Sequence, residues 1–139
     1  LHLLLYFSQG MSFAINNKPM FKEECMTSVN SLVYKDIYNL FKDFPYDPRE
    51  DERFVLIENT QHVLNKEDYH VLDLVIHTFG TYSYKVLKKI ITKVELSDDL
   101  IPIDQRILNK DIESHFKTKD MEYNFSSIEG IMKYIDSII

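Results

Sequence analysis

Apolar residues are densest at the beginning of the chain, where they run almost without interruption from Leu1 to Ile15. A helix that is apolar on nearly all sides must be surrounded by other elements, so this pattern predicts a helix at the centre of the core. Glycine costs about 1 kcal/mol relative to alanine inside a helix, so Gly10 indicates a close approach by another segment. The polar Gln9 is predicted to be buried and hydrogen-bonded to backbone. Pro19 ends the helix, because proline has no amide donor.

Later segments repeat apolar residues at helical spacing. The predicted helices cover residues 33–44, 65–79, 83–94, 109–116 and 126–138. Their predicted inward faces are Leu72, Val75, Ile76 and Phe79 in the second of these, then Leu87, Ile90, Ile91 and Val94, and finally Ile128, Ile131, Ile135 and Ile138. The predicted N-terminal caps are Asn65 with Asp68, Ser83, Asn109, and Ser126 with Glu129. Gly80 is the expected C-terminal glycine of the helix that begins at Asn65.

Short apolar runs of β type occur at residues 20–26 and 54–57, and the two could pair as a small sheet. Proline and dense charge predict loops at residues 44–53 and 95–104, and a polar link is expected at 117–124. The elements predict a mainly α fold. It is a single compact helical domain of about five to six helices around the buried N-terminal helix, with a small two-stranded β element.

Composition agrees with one domain, since the chain has 139 residues and only three glycines and four prolines. The N-terminal apolar run is interrupted at Ser8-Gln9-Gly10, which is too early for a membrane span. The single Cys25 rules out an internal disulfide, fits a reducing cytoplasm, and is expected to be a small buried residue. Because the chain does not begin with Met, we expect it to be a fragment.

Charge narrows the classes of partner. A net charge of −6 disfavours nucleic-acid binding, which depends on Lys and Arg. Lysines nevertheless cluster on one predicted helix, where a solvated face is favoured over a polyanion site; they are Lys85, Lys88, Lys89 and Lys93. Tyr34 and Tyr38 form a stripe on the predicted helix at residues 33–44. Half-buried packing is favoured for this stripe over a binding platform. Tyr34, Tyr38, Lys85, Lys88 and Lys89 are the candidate partner surface.

Candidate catalytic groups are few. His70, Asp73 and His77 could share one helix face, but they do not form the H-E-x-x-H pattern of a zinc site. The acidic clusters at residues 47–52 and 98–99 fall in predicted loops, where carboxylates stay ionised and make poor general acids. Nucleotide-binding glycine motifs and serine-hydrolase motifs are missing from the sequence. We therefore expect a protein that is not an enzyme and that needs no cofactor or metal.

Two stretches near the beginning resemble the Panacea family, the SocA-like antitoxin domain that is also known from phage-associated proteins. Residues 4–10, LLYFSQG, are similar to the family's L-L-Y-Y-A-Q-G, and residues 17–24, NKPMFKEE, are similar to its G-K-P-L-F-D-E-E. Weaker similarity covers Val33 with Tyr38, residues 72–83, and residues 109–116. The residues that carry the resemblance are Tyr6, Gln9, Gly10, Lys18, Pro19, Phe21, Val33, Tyr38, Gly80 and Ser83. The family's Trp, Gly-Pro and T-H-x-E-x-P-W features do not occur here.

The resemblance implies a Panacea-like helical domain over residues 1–117. Residues 118–139 lie outside the resemblance, and we expect them to form a helical extension packed on the same domain. The resemblance also implies a non-catalytic, cytoplasmic protein of bacterial or phage origin that neutralises a toxin by direct contact. Related proteins deliver their toxin to a AAA+ protease. Three alternatives stay open: a divergent phage-associated structural or regulatory protein without a toxin partner, a DNA-binding regulator acting through the lysine face, and a metal-dependent enzyme.

Overall fold

The computed structural model of this chain describes residues 2–28, 31–34, 65–94 and 106–139. The α-helices in these ranges are α1 (His2–Asn16), α2 (Lys66–Thr78), α3 (Tyr84–Val94), α4 (Asn109–Tyr123) and α5 (Ile128–Ile138). A short 3-10 helix, Phe79–Thr81, follows α2, and the strands are β1 (Cys25–Ser28), β2 (Ser31–Tyr34) and β3 (Arg106–Ile107). The fold is mainly α, as predicted. Within the described residues, no helix is long and apolar enough to cross a membrane.

The helix α1 lies at the centre of the core, as its apolar sequence predicts. It packs against α2, α3, α4 and β2. The buried Ser8 is satisfied within the helix, since its hydroxyl donates to the Leu4 carbonyl at 2.8 Å. A helix can therefore carry serine on a wrapped face without leaving an unpaired polar group in the core.

Aromatic rings connect α1 to the helices around it. The rings of Phe7 and Phe79 stack with centroids 4.0 Å apart, and Tyr6 meets Phe116 edge to face at 5.6 Å. Phe116 in turn lies 6.2 Å from Phe125, which follows α4. Such pairs contribute about 0.5–1.5 kcal/mol beyond the burial of their area, so they help to fix where α2 and α4 sit on α1.

Gly10 provides the close approach that its position predicts. A Cβ atom at this residue would lie 2.3 Å from the ring of Phe116. The absence of a side chain therefore lets the aromatic ring on α4 rest directly on the backbone of α1.

The small sheet differs from the prediction in its strands and partners. Its order is β2-β1-β3 with antiparallel pairs, and Cys25 lies opposite both Tyr34 and Ile107. The helix predicted from Val33 is wrong at its start, because Val33 and Tyr34 belong to β2. Leu32 and Tyr34 are buried at the period of two that a strand requires, and this signal outweighs the helical spacing of Val33 with Ile37.

The helix α2 begins at the predicted cap, and its buried face agrees with the prediction at Val75 and Phe79 but not at Ile76. Asn65 and Asp68 form the capping box, with the Asp68 amide donating to Asn65 Oδ1 at 2.8 Å. The inward face consists of Val71, Leu74, Val75 and Thr78. Ile76 is 56% exposed, which corrects the predicted face. The polar Thr78 is buried on this face. Its hydroxyl donates to the Leu74 carbonyl at 2.6 Å, so it is not left unpaired in the core.

The helix α3 follows its prediction at the residues whose side chains are described, which exclude Val94. Ser83 is its cap, since the Val86 amide donates to Ser83 Oγ at 3.4 Å. Leu87, Ile90 and Ile91 are buried. The 3-10 turn before it contains Gly80 with a negative φ, so the predicted glycine follows the α2 C-cap without adopting a left-handed conformation.

The helix α4 is longer than predicted, because residues 117–123 continue it. Ion pairs at helical spacing support this extension, with Lys117 lying 3.4 Å from Glu113. Leu108 is its N-cap, whereas Asn109 is its first residue. It ends at Asn124, whose φ of 59° places it in the left-handed region. Ending a helix in this conformation turns the chain towards α5.

The cap of α5 is Ser127, one residue later than predicted. Its hydroxyl accepts a hydrogen bond from the Gly130 amide at 3.0 Å. Gly130 lies so close to the preceding turn that a Cβ would be 2.0 Å from the Tyr123 carbonyl oxygen. The helix packs against α2, α3 and α4.

Several predictions fall on residues that the structure does not describe. They concern the remainder of the helix at residues 35–44, the loops at 44–53 and 95–104, and the strand at 54–57. The division of the chain at residue 117 stays a prediction, although α4 runs continuously across it.

Candidate functional site

The buried amide of Gln9 fastens the segment that follows α1. Its Oε1 atom accepts hydrogen bonds from the amides of Met20, at 2.8 Å, and Phe21, at 3.3 Å. Its Nε2 atom donates to the Phe21 carbonyl at 3.0 Å. Gln9 is 1% exposed, so the prediction of a buried amide bonded to backbone is confirmed. We call this arrangement of Gln9, Met20 and Phe21 the glutamine clamp.

A second set of contacts shapes the turn between α1 and the clamp. The Ser12 hydroxyl donates to the Lys18 carbonyl at 2.7 Å, and Asn17 adopts a left-handed φ of 58°. Lys18 reaches α2, where its ammonium lies 3.2 Å from the Glu67 carboxylate. Lys18 and Pro19 are themselves exposed. These residues act on the shape of the turn, and the clamp then sets the position of Phe21.

Phe21 leads to Tyr34, which is buried on β2. The two rings meet edge to face with centroids 5.4 Å apart. On its other side, Tyr34 stacks with His2 at 6.4 Å, and its backbone amide donates to His2 Nδ1 at 3.2 Å. The hydroxyl of Tyr34 is buried, and the side chain of Cys25, which lies opposite Tyr34 on β1, interacts with it.

A cavity of about 210 Å³ opens beside these rings, and we call it the Tyr34 cavity. Its lining includes Leu5 from α1, Phe21 and Glu23 from the segment after the clamp, and Tyr34 from β2. Leu5, Phe21 and Glu23 are each half-buried. The cavity therefore has aliphatic and aromatic walls with one carboxylate among its lining residues.

Electrostatics keeps the site in a defined protonation state. Burial raises the pKa of the Tyr34 phenol, and the neighbouring Cys25 and Glu23 raise it further. Tyr34 therefore stays a neutral phenol at physiological pH and can both donate and accept a hydrogen bond. Burial lowers the pKa of His2. The neutral imidazole is the form whose Nδ1 can accept the hydrogen bond from the Tyr34 amide.

Only some residues of the candidate partner surface are exposed. Tyr34 is 1% exposed, which corrects its assignment to that surface; a strand position turns its ring inward. Tyr38 lies outside the described residues, as does the side chain of Val33. Lys85 and Lys89 are exposed on α3, and Lys88 is half-buried.

The exposed face of α2 carries two kinds of side chain. Tyr69 and Ile76 are more than half exposed and lie seven residues apart, on one side of the helix. The histidines predicted as an alternative metal site, His70 and His77, are also exposed, together with Asp73. His77 Nδ1 is 2.7 Å from the backbone carbonyl of Asp73 rather than from its carboxylate. Among the described residues, no group of three such side chains is placed to hold a metal ion.

The sequence predicts a buried Gln9 bonded to backbone, but it predicts neither its partners Met20 and Phe21 nor the cavity beside them. Gln9 stands out as a polar residue within an apolar run, whereas the spacing around Tyr34 favours a helix. The alternation of Leu32 and Tyr34 was the available signal for a strand. Glu23 had no distinguishing pattern of its own, because only the fold brings it next to Leu5.

Comparison with known proteins identifies a family whose model matches this chain. The family model described as Antitoxin SocA-like, Panacea domain, matches residues 2–96. This range begins in α1 and ends just after α3, so it contains the glutamine clamp and the described lining of the Tyr34 cavity. No curated protein and no solved structure matches the chain significantly.

Proposed function

Because this chain belongs to the SocA-like antitoxin family with a Panacea domain, we propose that it neutralises a cognate toxin protein by binding it directly. The family match over residues 2–96 is the observation that carries this proposal. The glutamine clamp supports membership of the family, since the motif residues Gln9 and Phe21 are bonded to each other in this structure. In this proposal the chain acts by binding and not by catalysis. It works in the bacterial cytoplasm, and its gene is of bacterial or phage origin.

The exposed lysines of α3 are the first proposed contact for the toxin. The helix contains lysines but no acidic residue in its sequence, YKVLKKIITKV, although the whole chain has a net charge of −6. A positive surface on an acidic protein is suited to orienting a partner with a complementary acidic patch. Tyr84, which is 53% exposed at the start of α3, adds aromatic area beside the lysines.

Co-expression tests the proposed function. The small open reading frame adjacent to this gene is expressed in a bacterial host with and without this chain, and growth is measured. We expect the neighbour to arrest growth alone, and this chain to restore growth and to co-purify with it. A toxic neighbour whose effect is unchanged by this chain, with no complex formed, contradicts the proposal.

Charge reversal tests the proposed surface within that complex. The double variant K85E/K89E is expected to weaken toxin binding by about tenfold, because like charges then oppose each other. The matched control is K66E/K110E, which reverses two exposed lysines on α2 and α4. Equal affinities of the two double variants, measured by titration calorimetry, would remove the α3 lysines from the interface.

Delivery to a AAA+ protease is a separate part of the proposal. If this chain is an adaptor, the toxin should be degraded faster in its presence, and only in a host that retains the protease. Pulse-chase of the toxin in protease-positive and protease-deficient hosts measures this. Equal toxin half-lives in the two hosts, with growth still restored, would assign neutralisation to binding alone.

A second candidate function is that of a DNA-binding regulator. The exposed lysines of α3 are the observation that favours it. Phosphate binding releases counterions and weakens as salt rises. A mobility shift of the upstream DNA should then occur at about 50 mM salt and disappear in K85E/K89E. We favour the toxin, because a net charge of −6 repels a polyanion.

A further inference from the structure

The described walls of the Tyr34 cavity are mostly apolar and are held in place before any ligand binds. They include the side chains of Leu5, Phe21 and Tyr34. The glutamine clamp fixes Phe21 at both its amide and its carbonyl, and Tyr34 lies between the rings of Phe21 and His2. A preorganised cavity loses little conformational entropy on binding, so ordering of its walls does not offset the gain from apolar contact.

Hydrogen bonds within the protein already engage the polar groups beside these walls. Gln9 binds both the amide and the carbonyl of Phe21. The Tyr34 amide donates to His2 at 3.2 Å, and the buried Tyr34 hydroxyl interacts with Cys25. A polar ligand would give up its hydrogen bonds to water without finding replacements at these atoms, which costs free energy. The described walls therefore select an apolar group.

The volume of the cavity sets the size of that group. The cavity measures about 210 Å³, which is below the range of roughly 300–1,000 Å³ for sites that hold drug-sized ligands. An apolar protein cavity of about 150 Å³ is enough to bind benzene. The Tyr34 cavity is therefore large enough for one six-membered ring with a small substituent. Leu5 and Phe21 are half-buried, so such a group can enter from solvent.

Glu23 determines the charge that the cavity accepts. Its carboxylate belongs to the described lining. Burial, then Cys25 and the charge of Glu23, raises the pKa of the Tyr34 phenol, so this carboxylate lies close to the ring. A fixed negative charge repels an anion strongly where little water is present to screen it. A cation would have to leave water for walls that are otherwise apolar, which is costly as well. The favoured group is therefore neutral.

We propose that the Tyr34 cavity binds a neutral apolar group up to the size of one substituted six-membered ring, which lies against Leu5 and Phe21. Two sources supply this chemistry, namely a free small molecule and a phenylalanine side chain of the toxin. The second source rests on the proposed function. In either case the glutamine clamp connects the bound group to the turn after α1, because it holds Phe21.

Titration with toluene tests the cavity without a toxin. Toluene is added to the isotope-labelled chain, NMR shifts of the Leu5 methyls and the Phe21 amide are followed, and benzoate serves as an anion of similar size. We expect saturable shifts with toluene and an affinity for benzoate that is at least about tenfold weaker. The absence of saturable shifts with toluene, or equal affinities for the two compounds, overturns the proposal.

The carboxylate is tested with two adjacent glutamates. E23Q removes the charge at the cavity and should narrow the difference between toluene and benzoate at least about threefold. The matched control is E24Q, which removes an exposed carboxylate paired with Arg106 at 3.1 Å and should leave that difference unchanged. A difference that E23Q retains in full contradicts the role given to Glu23.

Changing the volume of the cavity provides a further test. L5W places a larger side chain in the cavity and should abolish the toluene shift at the Phe21 amide, while the melting temperature stays at least as high as in wild type. L5A enlarges the cavity instead, and it should favour the bulkier p-xylene over toluene more than wild type does. A folded L5W that binds toluene with unchanged affinity, or an unchanged preference in L5A, places the ligand elsewhere.

The toxin complex identifies the source of the group. Competition between toluene and the toxin, together with toxin binding that L5W weakens at least about tenfold, assigns the group to the toxin. Toxin binding that is unaffected by L5W assigns it to a free small molecule. If the chain binds toluene but no toxin, the proposed function fails and the cavity stands.

Discussion

At the scale of single residues, the motif of this family has a physical explanation in the glutamine clamp. Gln9 uses both ends of its amide, so one side chain satisfies three backbone groups of the segment after α1. Pro19 directly precedes this segment, and its ring restricts φ in the turn after α1. The motif therefore specifies a turn geometry, and the turn in turn positions Phe21 at the cavity.

Replacing Gln9 should destabilise the fold strongly. Q9A removes the partner of three backbone groups in the half-buried Met20 and Phe21 and takes volume from a wrapped helix, so we expect a loss of about 2–5 kcal/mol in the free energy of unfolding. Urea denaturation measures it. Q9M keeps most of the volume and isolates the hydrogen-bond contribution. A Q9M chain as stable as wild type would show that the clamp contributes packing alone.

Two glycines should respond differently to the same substitution. G130A places a Cβ 2.0 Å from the Tyr123 carbonyl oxygen, a backbone atom that cannot easily move, whereas at Gly80 the nearest atom is 3.8 Å away. We expect G130A to lower the melting temperature strongly and G80A to leave it nearly unchanged or raise it. Thermal unfolding followed by circular dichroism compares the two. Similar melting temperatures would contradict this account of Gly130.

At the scale of elements, caps and ion pairs decide where the C-terminal helices begin and end. The segment at residues 117–123 is mostly polar, so its sequence predicts a link between two helices. It is helical because Phe116 anchors it and because its charges pair at helical spacing. After the end of α4 at Asn124, Ser127 is the cap of α5, although Ser126 with Glu129 fits the capping-box pattern of the sequence better.

The position of this cap can be tested with adjacent serines. S127A removes the acceptor of the Gly130 amide and should cost about 1 kcal/mol of stability, as for other N-cap serines. S126A alters an exposed hydroxyl and should change stability by less than half of that. Chemical denaturation of both variants distinguishes the two candidate caps. A larger loss in S126A would return the cap to the predicted residue.

At the scale of the whole molecule, α5 packs against α2, α3 and α4, and its contact with α4 includes polar and aromatic side chains. The imidazole Nε2 of His115 lies 3.1 Å from the Tyr134 hydroxyl, and Tyr134 contacts Tyr123 and Phe125. Burial, and then the charge of Lys119, lowers the pKa of His115. The contact between the last two helices therefore depends on a histidine that is held neutral.

This histidine should make stability depend on pH. Because its pKa is lower in the folded state, the unfolded chain binds the proton first as pH falls below about 6.5. Stability should be full above that pH and should decline from there to the lower folded pKa. H115Q should flatten this decline, while replacement of the exposed His70 by Gln should not. Urea midpoints between about pH 7.5 and 5 measure it. An unaltered slope in H115Q would contradict the assignment.

The sequence by itself determined the helical class, the central α1 and the buried Gln9, because each follows from local periodicity or from one polar residue in an apolar run. It also determined the caps at Asn65 and Ser83. The tertiary structure alone decided which face α2 buries, because two apolar stripes compete and only packing separates them. It also decided that Tyr34 belongs to a strand and lies beside Glu23 and Leu5. Residues far apart in the chain become a site only when the fold closes on them.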